Sequence, residues 1–382
     1  MCCRWKPRGR ITTSTRTSAS TCLRDVQAKA KAEGLWAPQA PKAYGGMALP
    51  IVGWAAMYEE ANRSIFGPLA FNCAAPDDGN MNVLALVGTP AQKDKWLRPI
   101  VDGKVRSSFA MTEPAPGGGS DPDMIRTRAE KKGDALGDPR PQVVHHRRRR
   151  RRAFHPDRAH LGRSRGAGSP AFLYHRDQPG WRILRRIPIM GPEEHGGHCE
   201  LAFDGLEVPD ENVLMKVGDG LRVTQIRLGP ARLTHCMRWL GLAKRCMEIA
   251  QGYVADREGF GIRLADRESV QIKLGEVAHQ IQIGRLLVMH AAWKLDQGDR
   301  ARKEVSMAKV HVADTLHQAA DVAIQLNGAR GYSKDTVLEW IYRYARQARL
   351  VDGASEVHNM VLARFMKDEG RDFWTWGGGN RV

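Results

Sequence analysis

The chain lacks paired cysteines, long apolar runs and any acid near its start, and each shortage closes off a class of protein. Cys2, Cys3, Cys22, Cys73, Cys199, Cys236 and Cys246 form an odd set without a Cys-x-x-Cys pair. That argues against a disulfide framework and for a reducing compartment. No run approaches the roughly 18 apolar residues of a membrane-spanning helix, and the mean hydropathy is −0.45, so no membrane span is expected. Met1 to Arg24 contains no acid but several Arg, Ser and Thr. This is the composition of a mitochondrial transit peptide, although the apolar periodicity such a peptide needs is poor. A misassigned or truncated start is the reading preferred to it, and residues 1–22 are left as an unassigned or aberrant N-terminus. The expected location is a bacterial-type cytoplasm, with the mitochondrial matrix as the alternative.

What is present is enough for a large core: 382 residues, 42% of them hydrophobic, suggest two or three domains. The formal charge of +17 is unevenly placed. Between Arg140 and Arg165 there are ten arginines and one acid, Asp157, and Arg147 to Arg152 are consecutive. Such a segment attracts phosphate backbones in a salt-sensitive way. Without interleaved aromatics or a recognisable reader fold, no specific nucleic-acid partner is expected. Glu193, Glu194, His195, His198 and Cys199 have metal-ligating side chains but lack a second spaced ligand pair, so no metal is expected.

The apolar pattern divides the chain into three parts. Residues 23–105 read as a helical domain, broken at Gly45-Gly46 and Gly67-Pro68 and restarted at Pro90. Residues 106–218 read as a β domain. Ile125, Thr127 and Ala129 alternate like a half-exposed strand, Ala171–Tyr174 and Trp181–Ile189 follow, then Cys199, Leu201 and Phe203 alternate before a hairpin-type turn at Asp204-Gly205. Pro209 is expected to end the β region. Residues 219–382 read as a bundle of long helices. One stripe is Leu240, Ala243, Met247, Ala250 and Val254, a second runs from Val270 to Leu295, and a third helix stops at Asn327-Gly328. The expected class is α+β: an N-terminal helical domain, a middle β domain and a C-terminal four-helix bundle.

The motifs carry more. Phe109-Ala-Met-Thr-Glu-Pro-Ala-Pro-Gly-Gly-Gly-Ser-Asp121 is a loop whose small residues let backbone N–H groups approach a ligand, with Thr112 and Ser120 as hydroxyl donors. Further on stand Gly218-Asp-Gly-Leu221, Arg227-Leu-Gly-Pro-Ala-Arg232, Asp256-Arg-Glu-Gly-Phe-Gly261, Gln325-Leu-Asn-Gly-Ala-Arg-Gly331 and Leu350-Val-Asp-Gly-Ala-Ser-Glu-Val-His358. In this order they resemble the acyl-CoA dehydrogenase family. An Asp-Gly where the family usually has Glu-Gly, together with Phe71–Asn80 and Gly196–Phe203, resembles the branch of family members ten and eleven.

The resemblance implies an FAD enzyme that introduces an α,β double bond into an acyl-CoA thioester, as in fatty acid β-oxidation. Asp352 would be the base that removes the α-proton, and the β-hydride would pass to flavin N5, giving a 2-enoyl-CoA. A carboxylate suits this task because desolvation in a dry slot raises its pKa toward the working range. By the same resemblance Phe109, Met111, Thr112 and Ser120 face the flavin, while Arg257, Phe260, Gln325, Gly328, Ala354, Ser355 and Glu356 contact FAD. Arg257, Phe260 and Gln325 would reach FAD held by a neighbouring subunit, which implies a homodimer or homotetramer. Arg232 and Gly353 would face the substrate, and an electron-transferring flavoprotein would take the electrons. The alternatives are an inactive paralogue or binding protein, and an acyl-CoA oxidase.

One stretch departs from the family. After Lys132-Gly133 the expected Trp-x-Ile-Thr strand pair is missing, and Asp134 runs into the arginines. GC-rich codons written for Ala135 onward and read without their first base can encode His-Trp-Val-Ile-His-Gly-Arg-Lys-Trp-Phe-Ile-Thr-Gly. A compensated frameshift across about residues 134–170 is therefore expected. As written, the segment is expected to be an arginine-rich coil, unable to fill buried strand positions without unpaired charge.

Overall fold

The computed structural model describes residues 13–127, 129–131, 142–144, 150–154, 159–163, 170–190 and 198–375. The order of elements is as expected: helices, then sheets, then long helices. The chain packs into two compact units that do not follow this order. One contains Pro50–Pro68 and everything from Arg232 onward; the other contains Thr15–Leu49 and Leu69–Ala231.

The first unit is the bundle. The helices Gly220–Asp256 (from Arg232), Glu268–Asp296, Arg302–Asn327, Leu338–Ala348 and Ser355–Glu369 pack around apolar stripes. Leu240, Ala243, Met247, Ala250 and Val254 are all buried, as their spacing predicts. The helix Ile51–Ala61 joins this unit by three devices. Gly241 lets its backbone approach, since a Cβ there would collide with the Glu59 carbonyl. Glu59 is buried and takes both arms of the Arg285 guanidinium, Nε at 3.0 Å and Nη2 at 2.5 Å. Asp296, at the end of its own helix, accepts from the Ile51 and Val52 N–H groups at 2.7 and 3.0 Å, satisfying donors that a helix start leaves unpaired.

In the second unit, Trp36, Met81, Leu84, Trp96, Leu97 and Ile100 build a core with Ala171 and Leu173. Helix restart at Pro90 is sealed by a capping box between Thr89 and Gln92. Asp77, from the Phe71–Asn80 stretch, is buried and accepts from the Ser107 N–H and hydroxyl while pairing with Arg106. It thereby pins the start of the strand Ser107–Ala110.

The β region differs from its sequence reading at several points. Ile125 and Thr127 are buried but not in a strand. Their segment is held by the buried Glu113 carboxylate, which accepts from Arg126 N at 2.8 Å and from Thr127 N at 3.0 Å. After Ser107–Ala110, strand pairing resumes only at Glu130. Asp204-Gly205 is not a hairpin turn: His198–Phe203 pairs with Arg150–Phe154 and Trp181–Ile187, whereas Leu206–Val208 pairs with Gln142–Val144 in another sheet. The chain turns a corner there, and Gly180 permits it, because a Cβ at Gly180 would strike the Leu206 backbone. Pairing also continues beyond Pro209, where Val213–Leu214 lies antiparallel to Ala171–Phe172.

The remaining sheet has the order Ser107–Ala110, Ala159–Arg163, Ala171–Tyr174, Val213–Leu214, with the first pair parallel. Where a coil was expected, the Arg150–Phe154 backbone is a paired strand. Ladder hydrogen bonds need only backbone donors and acceptors, which any residue but proline supplies. The rest of residues 132–170, like Glu193, Glu194 and His195, lies outside the described residues apart from the strands named and Pro170.

Candidate active site

Asp352 sits in the bundle unit on a turn between Leu338–Ala348 and Ser355–Glu369. Its φ is +52° and that of Gly353 is +106°. Glycine adopts this region freely, but an aspartate does so only where its surroundings hold it. Here the helix Gly220–Asp256 supplies the hold. Arg232 Nε donates to the Asp352 carbonyl at 2.8 Å. One turn on, His235 Nε2 stands 3.3 Å from Asp352 Oδ2. Arg232, expected to face a substrate, thus has its Nε committed to the Asp352 backbone. Gly353 is required for two local reasons: its φ, and His358, whose Nε2 would lie 3.0 Å from an added Cβ.

The surroundings are charged and dry. Lys309 is completely buried, and among the described residues its ammonium has no hydrogen-bond partner. Burial pushes its pKa down to about 8, against the pull of Cys236, Asp352 and Glu356. His358 is buried, its Nδ1 3.0 Å from the Ser306 hydroxyl. Burial, reinforced by the positive charges of Arg232 and Lys309, pushes it down to about 4, so the ring is neutral at ordinary pH. The thiol of Cys236 is pushed up to about 12 by burial and donates to the Arg232 carbonyl at 3.2 Å. A carboxylate beside a buried cation, inside a closed side-chain cluster, has the composition of an acid–base site.

Sequence reasoning missed His235, Lys309, His358 and Ser306. Two signals were available. His235 lies three residues after Arg232, on the same helix face. Lys309 interrupts an otherwise apolar stripe of Val305, Ala308, Val312 and Leu316.

The residues assigned to FAD fall into two groups. Arg257, Phe260, Gln325, Gly328 and Glu356 are exposed. Phe260 is the extreme: its side chain is fully exposed at 102%, at the tip of a two-residue hairpin between Glu258–Gly259 and Ile262–Arg263. Its φ is +53° and that of Gly261 is +82°. Such a turn needs both residues left-handed, and a bulky aromatic is a poor choice for the first. Arg267 lies over the ring at 5.7 Å. Ala354 caps the helix Ser355–Glu369; the Ser355 hydroxyl is buried and has no hydrogen-bond partner among the described residues.

The loop Phe109–Asp121 belongs to the other unit and is described by itself. Phe109 is half-buried under the Arg227 guanidinium, 4.4 Å from its ring centre. Met111 and Thr112 are half-exposed and Ser120 is exposed. Only one of the three glycines leaves open space. A Cβ at Gly117 would strike Glu113 and one at Gly118 would strike Ile125, but nothing lies within 4 Å of the Cβ position at Gly119. Two glycines therefore serve the loop's own packing and the third bares backbone to the outside.

Residues 218–367 match the model of the acyl-CoA dehydrogenase C-terminal domain and residues 11–104 that of the N-terminal domain. FadE2 of Mycobacterium tuberculosis, named as an acyl-CoA dehydrogenase, is 36% identical over 359 residues, covering 91% of this chain and 86% of that protein. The chain belongs to the acyl-CoA dehydrogenase family. Acyl-CoA dehydrogenase family member 11 of Gallus gallus is also 36% identical, over 90% of this chain, although the chain spans only 45% of that longer protein. A solved structure from Mycobacterium abscessus, described as an acyl-CoA dehydrogenase, superposes with a TM-score of 0.83 at 35% identity, covering 91% of this chain and 86% of its own. No helix among the described residues is long and apolar enough to cross a membrane. Nor do the described residues contain a group of three or more metal-ligating side chains.

Proposed function

We propose that this chain is an FAD-dependent acyl-CoA dehydrogenase in which Asp352 removes the α-proton of an acyl thioester. The observation that carries the reading is the grip on Asp352: a strained carboxylate turn, held through its backbone by Arg232 and flanked by His235, beside a buried ammonium. A base that acts on a carbon acid needs this kind of fixed, partly dried carboxylate. Aspartate is one methylene shorter than the family's usual glutamate, so either the backbone or the acyl chain must shift to restore reach. The Gly353 N–H would polarise the thioester carbonyl.

The residues present fit FAD. In one unit, taken by itself, Gly119 offers bare backbone and Met111, Thr112 and Ser120 are accessible; in the other, the Ser355 hydroxyl is buried without a hydrogen-bond partner among the described residues, and Arg257, Phe260, Gln325 and Gly328 stand exposed. Bound FAD would supply the two-electron acceptor that the α,β-dehydrogenation requires. An exposed Arg257, Phe260 and Gln325 suit a site completed by a second copy of the chain, in a dimer or tetramer. An electron-transferring flavoprotein would be the onward acceptor, and 2-enoyl-CoA the product, as in fatty acid β-oxidation.

The test is α-proton exchange: acyl-CoA recovered from D2O should gain deuterium at the α-carbon with the wild-type chain and not with Asp352→Asn. Equal exchange by both would remove Asp352 from the role and favour a binding protein. Turnover that releases peroxide without an added acceptor would instead favour an acyl-CoA oxidase. The same assay on a chain carrying the frame-restored reading of residues 135–169 tests the frameshift, which predicts higher flavin content for the restored chain.

A further inference from the structure

His235 touches the carboxylate of Asp352, yet the reaction as written assigns it nothing. Its Nδ1 accepts from Arg238 Nη2 at 3.3 Å. A guanidinium can only donate, so Nδ1 must carry the lone pair and the ring proton must sit on Nε2. That nitrogen is the one 3.3 Å from Asp352 Oδ2. The ring is further fixed by stacking on the buried Trp239, centroids 5.4 Å apart and planes 27° apart. Arg238 is itself buried, with its guanidinium 5.6 Å from the centre of the Tyr58 ring. The restraint therefore runs from Tyr58 through Arg238 to His235, and from one helix both ends of Asp352 are met: the carbonyl by Arg232, the carboxylate by His235 three residues later.

We propose that His235 is a positioning residue for Asp352, whose neutral imidazole donates its Nε2–H to Oδ2, aims the carboxylate and favours its ionised form. The inference rests on Asp352 being the base. His235 is poorly placed to be the base itself, because one nitrogen faces Arg238 and the other faces Asp352. At 3.3 Å the contact is a close approach within ion-pair range rather than a formed hydrogen bond, and catalytic contacts of this kind tighten when substrate closes the site. The groups facing the pair are Arg232 and Arg238 on its own helix, Lys309 from Arg302–Asn327, and Glu356 and His358 from Ser355–Glu369. His358, pushed down to about 4, and Cys236, pushed up to about 12, keep one protonation state over the working range, while Lys309 at about 8 bears on the basic limb. The acid limb of kcat is therefore the readout for the carboxylate that His235 contacts.

The experiment compares His235→Ala with His235→Gln, whose amide N–H reaches about as far as Nε2 and cannot titrate. In His235→Ala, kcat should fall about 10- to 100-fold with KM within about 2-fold, and the acid limb should move up by about one pH unit, because the carboxylate loses a donor that favours its charged form. His235→Gln should stay within about 3-fold of wild type with its acid limb in place. An unmoved acid limb in His235→Ala overturns the proposal. So does a His235→Gln as impaired as the alanine variant, which would mean that imidazolium charge is what matters. Should the alanine variant fail to fold, His235→Asn, too short to reach Oδ2, takes its place with the same expectation. A readout without turnover is a thermal-unfolding cycle of His235→Ala, Asp352→Ala and the double variant: the two Tm shifts should not add, and additivity would contradict the contact. An active Asp352→Asn would sink the base assignment itself, a different result from any of these.

Discussion

Asp352 and Phe260 have nearly the same backbone and opposite surroundings. Both are non-glycine residues in the left-handed region, at φ +52° and +53°, and each precedes a glycine of positive φ. Asp352 is tied into the bundle by Arg232, His235 and the neighbouring His358, whereas Phe260 projects fully into solvent. Left-handed strain of this sort costs about 1–3 kcal/mol and persists only where something compensates it. At Asp352 the compensation lies inside the chain. At Phe260 the ring meets Arg267, which lies 5.7 Å over it and also donates to the Gly259 carbonyl, and its exposure suits a residue that meets a cofactor or a second subunit. The contrast separates a chemical group made rigid before substrate arrives from a contact group completed by assembly.

The contrast can be broken or sharpened by four changes. Asp352→Asn keeps the shape of the turn and removes its basicity; it should lower kcat at least about 10³-fold, or about 4 kcal/mol of barrier, in an acceptor-linked assay. The second change is pH. His358 is held at about 4 in the fold against 6.5 unfolded, so the unfolded chain binds the extra proton between those values and stability rises with pH across that window. Urea unfolding should show about 3 kcal/mol gained between pH 4 and 6.5 from this group, and His358→Gln should flatten that part of the curve. Lys309→Met should act likewise between about 8 and 10.5, where the lowered lysine pKa makes wild-type stability climb with pH.

Gly353→Ala comes third. A Cβ there meets His358 Nε2 at 3.0 Å and φ +106° is unfavourable for alanine, so unfolding measurements should show a loss of about 2 kcal/mol. Phe260→Gly is the smallest in stability and opposite in sign. It should gain about 1 kcal/mol in the flavin-free chain by relieving the turn, while flavin retained through gel filtration falls. If it destabilised the chain instead, the exposed ring would be a packing element and the contrast would fail.

The bundle was legible because its helices are long: a stripe such as Leu240 to Val254 repeats often enough to identify both element and face. The sheets were harder to read. Asp204-Gly205 has the local chemistry of a hairpin turn, but the partners of its two flanking strands lie tens of residues away, at Arg150–Phe154 and Gln142–Val144. Ile125 and Thr127 alternate as a strand would, yet a buried Glu113 carboxylate takes their backbone donors. At the site, Asp352 was visible through its motif. His235, Lys309 and His358 were not, because their significance depends on helices that meet only in the fold.

The central claim, that a flavin site and a gripped carboxylate work together, is tested most directly by the visible spectrum of the purified protein before and after anaerobic addition of a long-chain acyl-CoA. Flavin bands that bleach in the wild-type chain and persist in Asp352→Asn are the predicted result. A colourless protein, or bands that bleach equally in both, would contradict it.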